Sequence, residues 1–293
     1  MIDYTDEKTW NLFKDGLTKG VFQLESNLGR AWSKRLAPEN LEELAALIAL
    51  IRPGCLKAII DGKSMTQRFV DRKHKEEEVS YLHESLENIL KPTYGVLVYQ
   101  EQSHAVAYAV NSFWSAWYKA NNTKEFFLSY LYYANEKQDP HQEIYELVSE
   151  AKLFDLEVKI PKISSFGVKF NIQEDGIYFG VKDIKSLTGV TGDKVIKAIE
   201  ETSEEINKPP RDFSWMDIIV YLTPKINATA FKALCSIGFF STKATNTSRN
   251  KALYEYLIFR ELTKAETNWV INNYPKKRWT NLYDCFIDLA PTK

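Results

Sequence analysis

The amino-acid sequence predicts a mainly helical α+β protein in two modules, residues 1–135 and residues 136–293. Apolar residues recur at helical spacing in several long stretches, and alternating apolar residues on either side of Gly176 predict a β hairpin. The chain has 293 residues, of which 44% are hydrophobic and 26% are charged. This length and balance suit one large or two ordinary globular domains with hydrophobic cores.

The first module is predicted to consist of helices joined by polar segments. Helices are expected over residues 5–15, with Thr5 as the N-cap, over residues 39–51, and over residues 81–90. Residues 94–99 form either a strand or the start of a buried helix, because periodicity cannot decide over so short a run. Aromatic residues recur at helical spacing from residue 105 to 133, and this favours core packing over base stacking.

The second module is predicted to mix short strands with helices. A helix is expected over residues 141–151, a strand over residues 156–160 and a hairpin over residues 168–181. Further helices are expected over residues 193–206, 215–222, 228–237 and 250–271.

Composition restricts the classes of function. The net charge is −1, so any contact with nucleic acid must come from a local basic patch. Cys55, Cys235 and Cys285 lack the CxxC spacing of a zinc site, and their odd number argues against a disulfide framework, which predicts a reducing, cytoplasmic location. The first residues do not resemble a signal peptide, and the longest apolar run, 44–51, is too short to cross a bilayer, so no membrane partner is expected.

The chemistry of two-metal catalysis requires paired carboxylates, usually two aspartates separated by one residue on a strand. The sequence contains no Asp-x-Asp, and its nearest mimic is Asp155-Leu156-Glu157. The four histidines lack the spacing of a metal site, and no phosphate-binding GxxxxGK[ST] motif is present. We therefore assign no catalytic residue, no metal ligand and no cofactor to this chain.

Three segments are candidates for phosphate contact. Arg68, Arg72, Lys73 and His74 belong to a basic run that either grips phosphates or forms a solvated loop beside residues 76–78, which are all glutamate. Arg52, which precedes Pro53 and Gly54, either contacts a phosphate or caps the carboxyl end of a helix.

The third segment, residues 184–199, combines glycines with a following helix. Its Gly189 and Gly192 can expose backbone N–H groups beside the amino terminus of that helix, and Lys185 and Lys194 add positive charge. This arrangement predicts a site for a DNA phosphate.

Four motifs in this order resemble the bacterial replicative DNA polymerase III alpha subunit family, the C-family DNA polymerases. They are GVFQLES at residues 20–26, ALIRPG at 49–54, FVDRKH at 69–74 and YGVLVYQEQ at 94–102. Residues 103–108 resemble the family's serine-histidine segment beside the nucleotide site, and residues 184–199 resemble its helix-hairpin-helix element.

The resemblance implies a fingers-like module over residues 1–135 and a β hairpin plus helix-hairpin-helix module over residues 136–293. It also implies the DNA- or nucleotide-binding residues. These are Arg52, Arg68, Arg72, Lys73, His74, Gln100, Ser103, His104, Lys185, Gly189, Gly192 and Lys194.

Two parts of the family pattern are not present in this sequence. The family's metal-binding aspartates are expected upstream of residue 1, and a long central fingers segment is missing between Gln102 and Ser103. The resemblance therefore implies a split or truncated alpha-subunit component that contributes contacts to DNA synthesis without catalysing it alone. Its expected partners are primer–template DNA and a second polymerase chain or replisome protein, with Mg²⁺ involved only if that partner bears the palm. The alternative is a non-catalytic regulator or decoy that binds DNA or the replisome.

Overall fold

Helices make up most of the computed structural model, which describes residues 2–81, 83–98, 102–173 and 175–290. The fold is α+β and mainly α, as the sequence predicted. Contacts divide the chain into unit 1, Met1–Asp155, and unit 2, Leu156–Lys293. The division predicted from the sequence, at residue 135, lies inside unit 1.

Unit 1 is built from helices and one two-stranded hairpin. Its elements are α1 (Glu7–Asp15), α2 (Asn27–Leu36), α3 (Leu41–Leu50), α4 (Pro53–Lys57), β1 (Ile59–Ile60), β2 (Lys63–Ser64), α5 (Met65–Lys73), α6 (Glu87–Leu90), α7 (Gln102–Asn121), α8 (Thr123–Tyr133) and α9 (Pro140–Ala151).

Helices α3 and α7 form the centre of unit 1. Helix α3 begins where the Asn40 side chain accepts a hydrogen bond from the Glu43 amide at 2.9 Å, and it is buried from Leu44 to Leu50. It packs against α7, whose Ala105 and Ala109 are small enough to let the two backbones approach. The apolar periodicity that predicted both helices thus follows from their shared core.

Two local predictions in unit 1 need correction. The N-cap of α1 is Asp6, whose carboxylate accepts from the Thr9 amide at 3.1 Å, whereas Thr5 bonds to the Asp3 carboxylate. The segment from Tyr94 to residue 98 is neither strand nor helix. Tyr94 has a left-handed φ of 53° because it closes a 3₁₀ turn, and residues 99–101 lie outside the described residues.

Unit 2 combines a three-stranded sheet with helices. Its elements are β3 (Val158–Lys159), β4 (Asn171–Gln173), β5 (Gly176–Tyr178), α10 (Val190–Ile206), α11 (Trp215–Asp217) with a π-helical turn (Ile218–Leu222), α12 (Ala228–Ile237), α13 (Arg249–Phe259), α14 (Lys264–Lys277) and α15 (Leu282–Leu289). The predicted hairpin is confirmed, with Asn171 opposite Tyr178 in antiparallel register, and β3 pairs with β5 in parallel.

The helix predicted over residues 250–271 is two helices, α13 and α14. Thr263 begins α14 through a capping box, in which its amide donates to the Glu266 carboxylate at 2.7 Å and its hydroxyl accepts from the Glu266 amide. The Thr-x-x-Glu signal was present in the sequence, but the continuing apolar periodicity masked it.

Candidate nucleic-acid interface

The arginines of α5 contact acceptors inside unit 1. The Arg72 side chain is 4% exposed, and its guanidinium donates to Glu77 Oε1 at 2.9 Å, to the Tyr94 carbonyl at 2.9 Å and to Ser80 Oγ at 3.1 Å. Arg68 donates to the same Glu77 oxygen at 2.8 Å. These bonds tie α5 to the chain that follows it.

Lys73 and His74 lie against the carboxyl end of α2. The Lys73 ammonium donates to the Ala37 carbonyl at 2.8 Å and to the Glu43 carboxylate at 2.7 Å. The His74 Nε2 atom lies 2.9 Å from the Arg35 carbonyl oxygen, to which it donates in the tautomer that carries hydrogen on Nε2. The Lys73 ammonium therefore stabilises the last carbonyls of α2, and the His74 ring bonds at the same helix end.

Glu77 balances the positive charge of α5. Burial raises the pKa of its carboxyl group, but hydrogen bonds from Lys63 and Arg72 and the charge of Arg68 outweigh burial and lower the pKa overall. Glu77 is therefore ionised at neutral pH. The basic run predicted from the sequence is folded into an ion-pair network rather than being a solvated loop.

Arg52 and the residues on either side of the Gln102–Ser103 junction lie in different parts of unit 1. Arg52 is extended (φ −84°, ψ 152°) and precedes Pro53 at the first position of α4, while the C-cap of α3 is Ile51. Gln100 lies outside the described residues. Ser103 and His104 belong to the first turn of α7, where only the backbone is described.

The GVFQLES motif of unit 1 is held by α7 and α8. Gly20 has a φ of +74°, and a Cβ atom there would lie 3.0 Å from the rings of Phe126 and Tyr130. The Tyr130 hydroxyl donates to the Gly20 carbonyl at 2.6 Å, and Ser112 Oγ donates to the Phe22 carbonyl at 2.7 Å. The motif therefore requires glycine at residue 20 for both its backbone conformation and its close packing.

A buried ion pair lies next to this motif and was not predicted from the sequence. The Lys119 side chain is fully buried, pairs with Glu150 and donates to the carbonyls of Leu17 at 3.0 Å and Lys19 at 2.7 Å. Burial lowers the pKa of Lys119 to about 8. Its only sequence signal was a lysine in an otherwise apolar part of α7, and its partner in α9 could not be inferred.

The turn before α10 brings four predicted site residues together in unit 2. Gly189 is exposed and adopts φ +61° and ψ −133°, which is accessible to glycine and strained for other residues. Gly192 is buried, and a Cβ atom there would lie 2.3 Å from the Leu187 carbonyl oxygen. Lys185 and Lys194 are exposed on this turn and the helix it opens.

The amino terminus of α10 has free hydrogen-bonding capacity. No side chain in the described part of the chain caps it, and the first intrahelical bond closes from the Asp193 amide to the Gly189 carbonyl at 3.4 Å. The amides of Val190 and Thr191 precede that bond and lie in an exposed or half-exposed turn. Asp193 is paired with Lys182 at 2.8 Å, so its charge is compensated beside the turn.

The element that precedes this turn is a 3₁₀ turn, Val181–Asp183, rather than an α-helix. Residues 184–199 thus contain a glycine turn followed by α10, and the helix-hairpin-helix element stays a prediction. The structure places Lys185, Gly189, Gly192 and Lys194 near one another in unit 2, whereas the α5 residues and Arg52 belong to unit 1.

Within the described ranges, no group of three histidine, cysteine, aspartate or glutamate side chains is arranged to hold a metal ion. The helices described here include none that is long and apolar enough to cross a membrane. Cys55, Cys235 and Cys285 are buried and form no disulfide.

Comparison with known proteins shows a similarity over part of the chain. Residues 1–116 match the bacterial DNA polymerase III alpha subunit finger domain. In this region the chain is similar to the DNA polymerase III alpha family. The GVFQLES motif at residues 20–26 and the FVDRKH motif at residues 69–74 both lie within the matched residues.

Three relatives show how far the similarity to the polymerase III alpha family extends. The DNA polymerase III alpha subunit of Aquifex aeolicus is 29% identical over 307 residues, which cover 80% of this chain and 25% of the relative. That of Vibrio cholerae is 28% identical over 275 residues, or 68% of this chain and 23% of the relative. That of Bacillus subtilis is 47% identical over 106 residues, or 36% of this chain and 9% of the relative.

The chain thus spans a quarter or less of the length of these relatives. The alignment with the Aquifex relative is 307 positions long, but it includes only 80% of the 293 residues of this chain. The relative therefore has residues within the alignment that this chain lacks.

Proposed function

We propose that this chain is a split or truncated alpha-subunit component that contributes DNA contacts to template-directed DNA synthesis and is not catalytic alone. The finger-domain match over residues 1–116 supports the polymerase origin. The extra residues of the Aquifex relative support a missing central fingers segment, which we place between Gln102 and Ser103.

The proposed contact with DNA is supported above all by the turn before α10. Its uncapped amides and positive helix terminus favour a phosphate oxygen, and its glycines let a backbone approach closely. Neither Lys185 nor Lys194 forms an ion pair with any described carboxylate, so both remain available for a polyanion. We infer that Lys185, Gly189, Gly192 and Lys194 contact the DNA backbone.

Catalysis in this proposal depends on another polypeptide. Two-metal chemistry requires paired carboxylates, and the sequence contains no Asp-x-Asp. Asp155 of the Asp155-Leu156-Glu157 mimic lies in a turn with a left-handed φ of 55°, and the Glu157 side chain is 71% exposed. Mg²⁺ would be held by a palm-bearing partner, within a cytoplasm that suits three cysteines outside disulfide bonds.

The outer face of α7 offers a contact surface for that partner. Val106, Trp114 and Tyr118 are spaced at multiples of four residues and are 52%, 43% and 55% exposed. Ala109 and Phe113 of the same helix are fully buried. An exposed apolar stripe on a central helix favours burial against a second polymerase chain or a replisome protein.

One observation favours the second candidate function, a non-catalytic regulator or decoy. Arg68, Arg72 and Lys73 bond to acceptors within unit 1, although the family resemblance assigns them to DNA or nucleotide. A chain that keeps the fingers fold but bonds those cations to its own acceptors would bind DNA or the replisome without assisting synthesis.

A salt titration of DNA affinity tests the proposed contact. The variant Lys185→Gln/Lys194→Gln should reduce the slope of log affinity against log salt by up to roughly 1.8, or about 0.9 for each phosphate that the protein no longer neutralises on duplex DNA. The control Lys124→Gln/Lys137→Gln removes two exposed charges from unit 1 and should leave the slope unchanged. Equal slopes for wild type and the α10 variant would remove the α10 turn from the interface.

A further inference from the structure

A cavity of about 710 Å³ opens at the carboxyl ends of α10 and α14 in unit 2. The glycine turn lies at the other end of α10, so the cavity is separate from the proposed DNA contact. Ile206, Ile271 and Pro275 supply apolar walls. Small-molecule sites occupy roughly 300–1,000 Å³ and combine apolar walls with a few polar groups, so this cavity has the size and lining of such a site.

The two carboxylates among the described lining residues are already paired. The Asp217 side chain is 4% exposed and accepts from the Lys208 ammonium at 3.0 Å and from the Tyr274 hydroxyl at 2.9 Å. The Glu205 carboxylate pairs with the Lys225 ammonium at 2.6 Å. The negative charges that face the cavity are therefore balanced within the fold.

The lining residues that remain free are rich in hydrogen-bond donors. The Arg278 guanidinium, the Asn272 side-chain amide and the Tyr221 hydroxyl have no hydrogen-bond or ion-pair partner among the described residues. Burial and the charges of Glu205 and Asp217 raise the pKa of Tyr221, so its hydroxyl keeps its proton at neutral pH. Spare donors beside an unpaired cation favour a ligand that accepts hydrogen bonds and carries negative charge.

Arg278 stands at a position that usually takes glycine. It is the C-cap of α14, with φ 49° and ψ 46°, a left-handed conformation that costs free energy for a residue with a side chain. Its amide donates to the Tyr274 carbonyl at 2.8 Å, which fixes the backbone there. A residue held in this conformation beside a cavity points to a role for its side chain.

The charge balance of the cavity favours a monoanion. The two ion pairs described above are neutral. The carboxyl ends of α10 and α14 together contribute about one negative charge, which Lys276 in the last turn of α14 offsets. Arg278 is then the one uncompensated cation among the described lining residues. A carboxylate carries a single charge at neutral pH, whereas a phosphate monoester carries about −1.5 to −2.

We propose that this cavity, here called the Arg278 cavity, binds a small aromatic carboxylate. In the proposed complex the Arg278 guanidinium donates to both carboxylate oxygens, and the Tyr221 hydroxyl and the Asn272 amide supply further donors. The ring of the ligand lies against the apolar walls, which a bare inorganic anion would leave without contacts. This inference goes beyond the proposed function, because the ligand is a free small molecule and the site does not depend on DNA.

The test follows the fluorine-19 NMR line of 4-fluorobenzoate, which broadens when the compound binds the full chain. The matched control ligand is 4-fluorobenzamide, which has the same shape and no charge. Wild type should bind the benzoate at least about tenfold more tightly than the amide, because a charge-assisted hydrogen bond is worth about this factor or more.

Three variants assign the binding to the Arg278 cavity. Arg278→Gln should weaken 4-fluorobenzoate about tenfold and leave the weaker binding of the amide unchanged. Arg278→Lys, which keeps the charge but not the fork, should retain part of the affinity. Tyr221→Phe should weaken the benzoate by roughly threefold. The control Lys264→Gln removes an exposed charge from the opposite end of α14 and should change neither affinity.

Several results would overturn the inference. Equal affinity of wild type for the benzoate and the amide, or no broadening of either line, would exclude a carboxylate, and this comparison needs no variant. Equal affinity of wild type and Arg278→Gln for the benzoate would place the ligand elsewhere. Tighter binding of phenyl phosphate would assign the cavity to a dianion. Displacement of 4-fluorobenzoate by a short DNA duplex at matched ionic strength would assign it to nucleic acid.

Discussion

Replacement of Arg72 by alanine tests whether the basic run of α5 is structural. The buried guanidinium makes three hydrogen bonds, to Glu77, to the Tyr94 carbonyl and to Ser80. Removing one partner of a buried ion pair costs about 3–5 kcal/mol. In the variant, Glu77 would still pair with Lys63 and Arg68, so the Tyr94 carbonyl is the main group left without its hydrogen-bond donor. We therefore expect the free energy of unfolding to fall by an amount near the lower limit, about 3 kcal/mol.

The assay combines urea unfolding, followed by tryptophan fluorescence, with the salt dependence of DNA affinity. Arg72→Ala should lower the unfolding midpoint and leave the salt slope of the folded protein unchanged. The control Lys75→Gln removes the neighbouring exposed charge and should change neither quantity. A variant that unfolds within about 1 kcal/mol of wild type but has a shallower salt slope would refute the structural role and restore Arg72 as a phosphate ligand.

Three further predictions concern unit 2 and α7. Burial raises the pKa of Asp217, but hydrogen bonds from Ser214, Lys208 and Tyr274 outweigh it and lower the pKa below the ordinary 3.8. Its stabilisation is therefore complete at neutral pH and lost as pH falls through the folded pKa, and Asp217→Asn should flatten the acid limb of a stability–pH curve. Gly192→Ala should lower thermal stability and DNA affinity together, because its Cβ would collide with the Leu187 carbonyl; full retention of both would contradict the assigned close packing. Amides from residue 105 to 118 should exchange slowly with deuterium, and light scattering should detect a partner complex or self-association; loop-like exchange in a strictly monomeric protein would exclude a buried, contact-forming α7.

The elements that the sequence predicted correctly carry their signal locally. The β4–β5 hairpin follows from alternating apolar residues around Gly176, and α3 follows from apolar residues at helical spacing that end before Pro53. The sequence indicated only a polar segment where α5 lies, because the apolar face of this helix is short. Burial of its arginines depends on hydrogen bonds from Arg68 and Arg72 to Glu77, which follows the helix in the chain.

Side-chain partners were the part of the candidate site that sequence could not predict. The basic residues of α5 were recognised, but whether they face solvent or Glu77 depends on how residues 76–80 fold back. The contact between Lys162 and the Gly238 carbonyl depends on tertiary packing, which periodicity does not encode.

Primer extension by the purified chain is the most direct test of the central claim. We predict no magnesium-dependent incorporation by the chain alone on a primer–template, and incorporation once a co-purifying polypeptide with paired aspartates is added. Magnesium-dependent extension by the chain alone, abolished by Asp155→Asn, would contradict it.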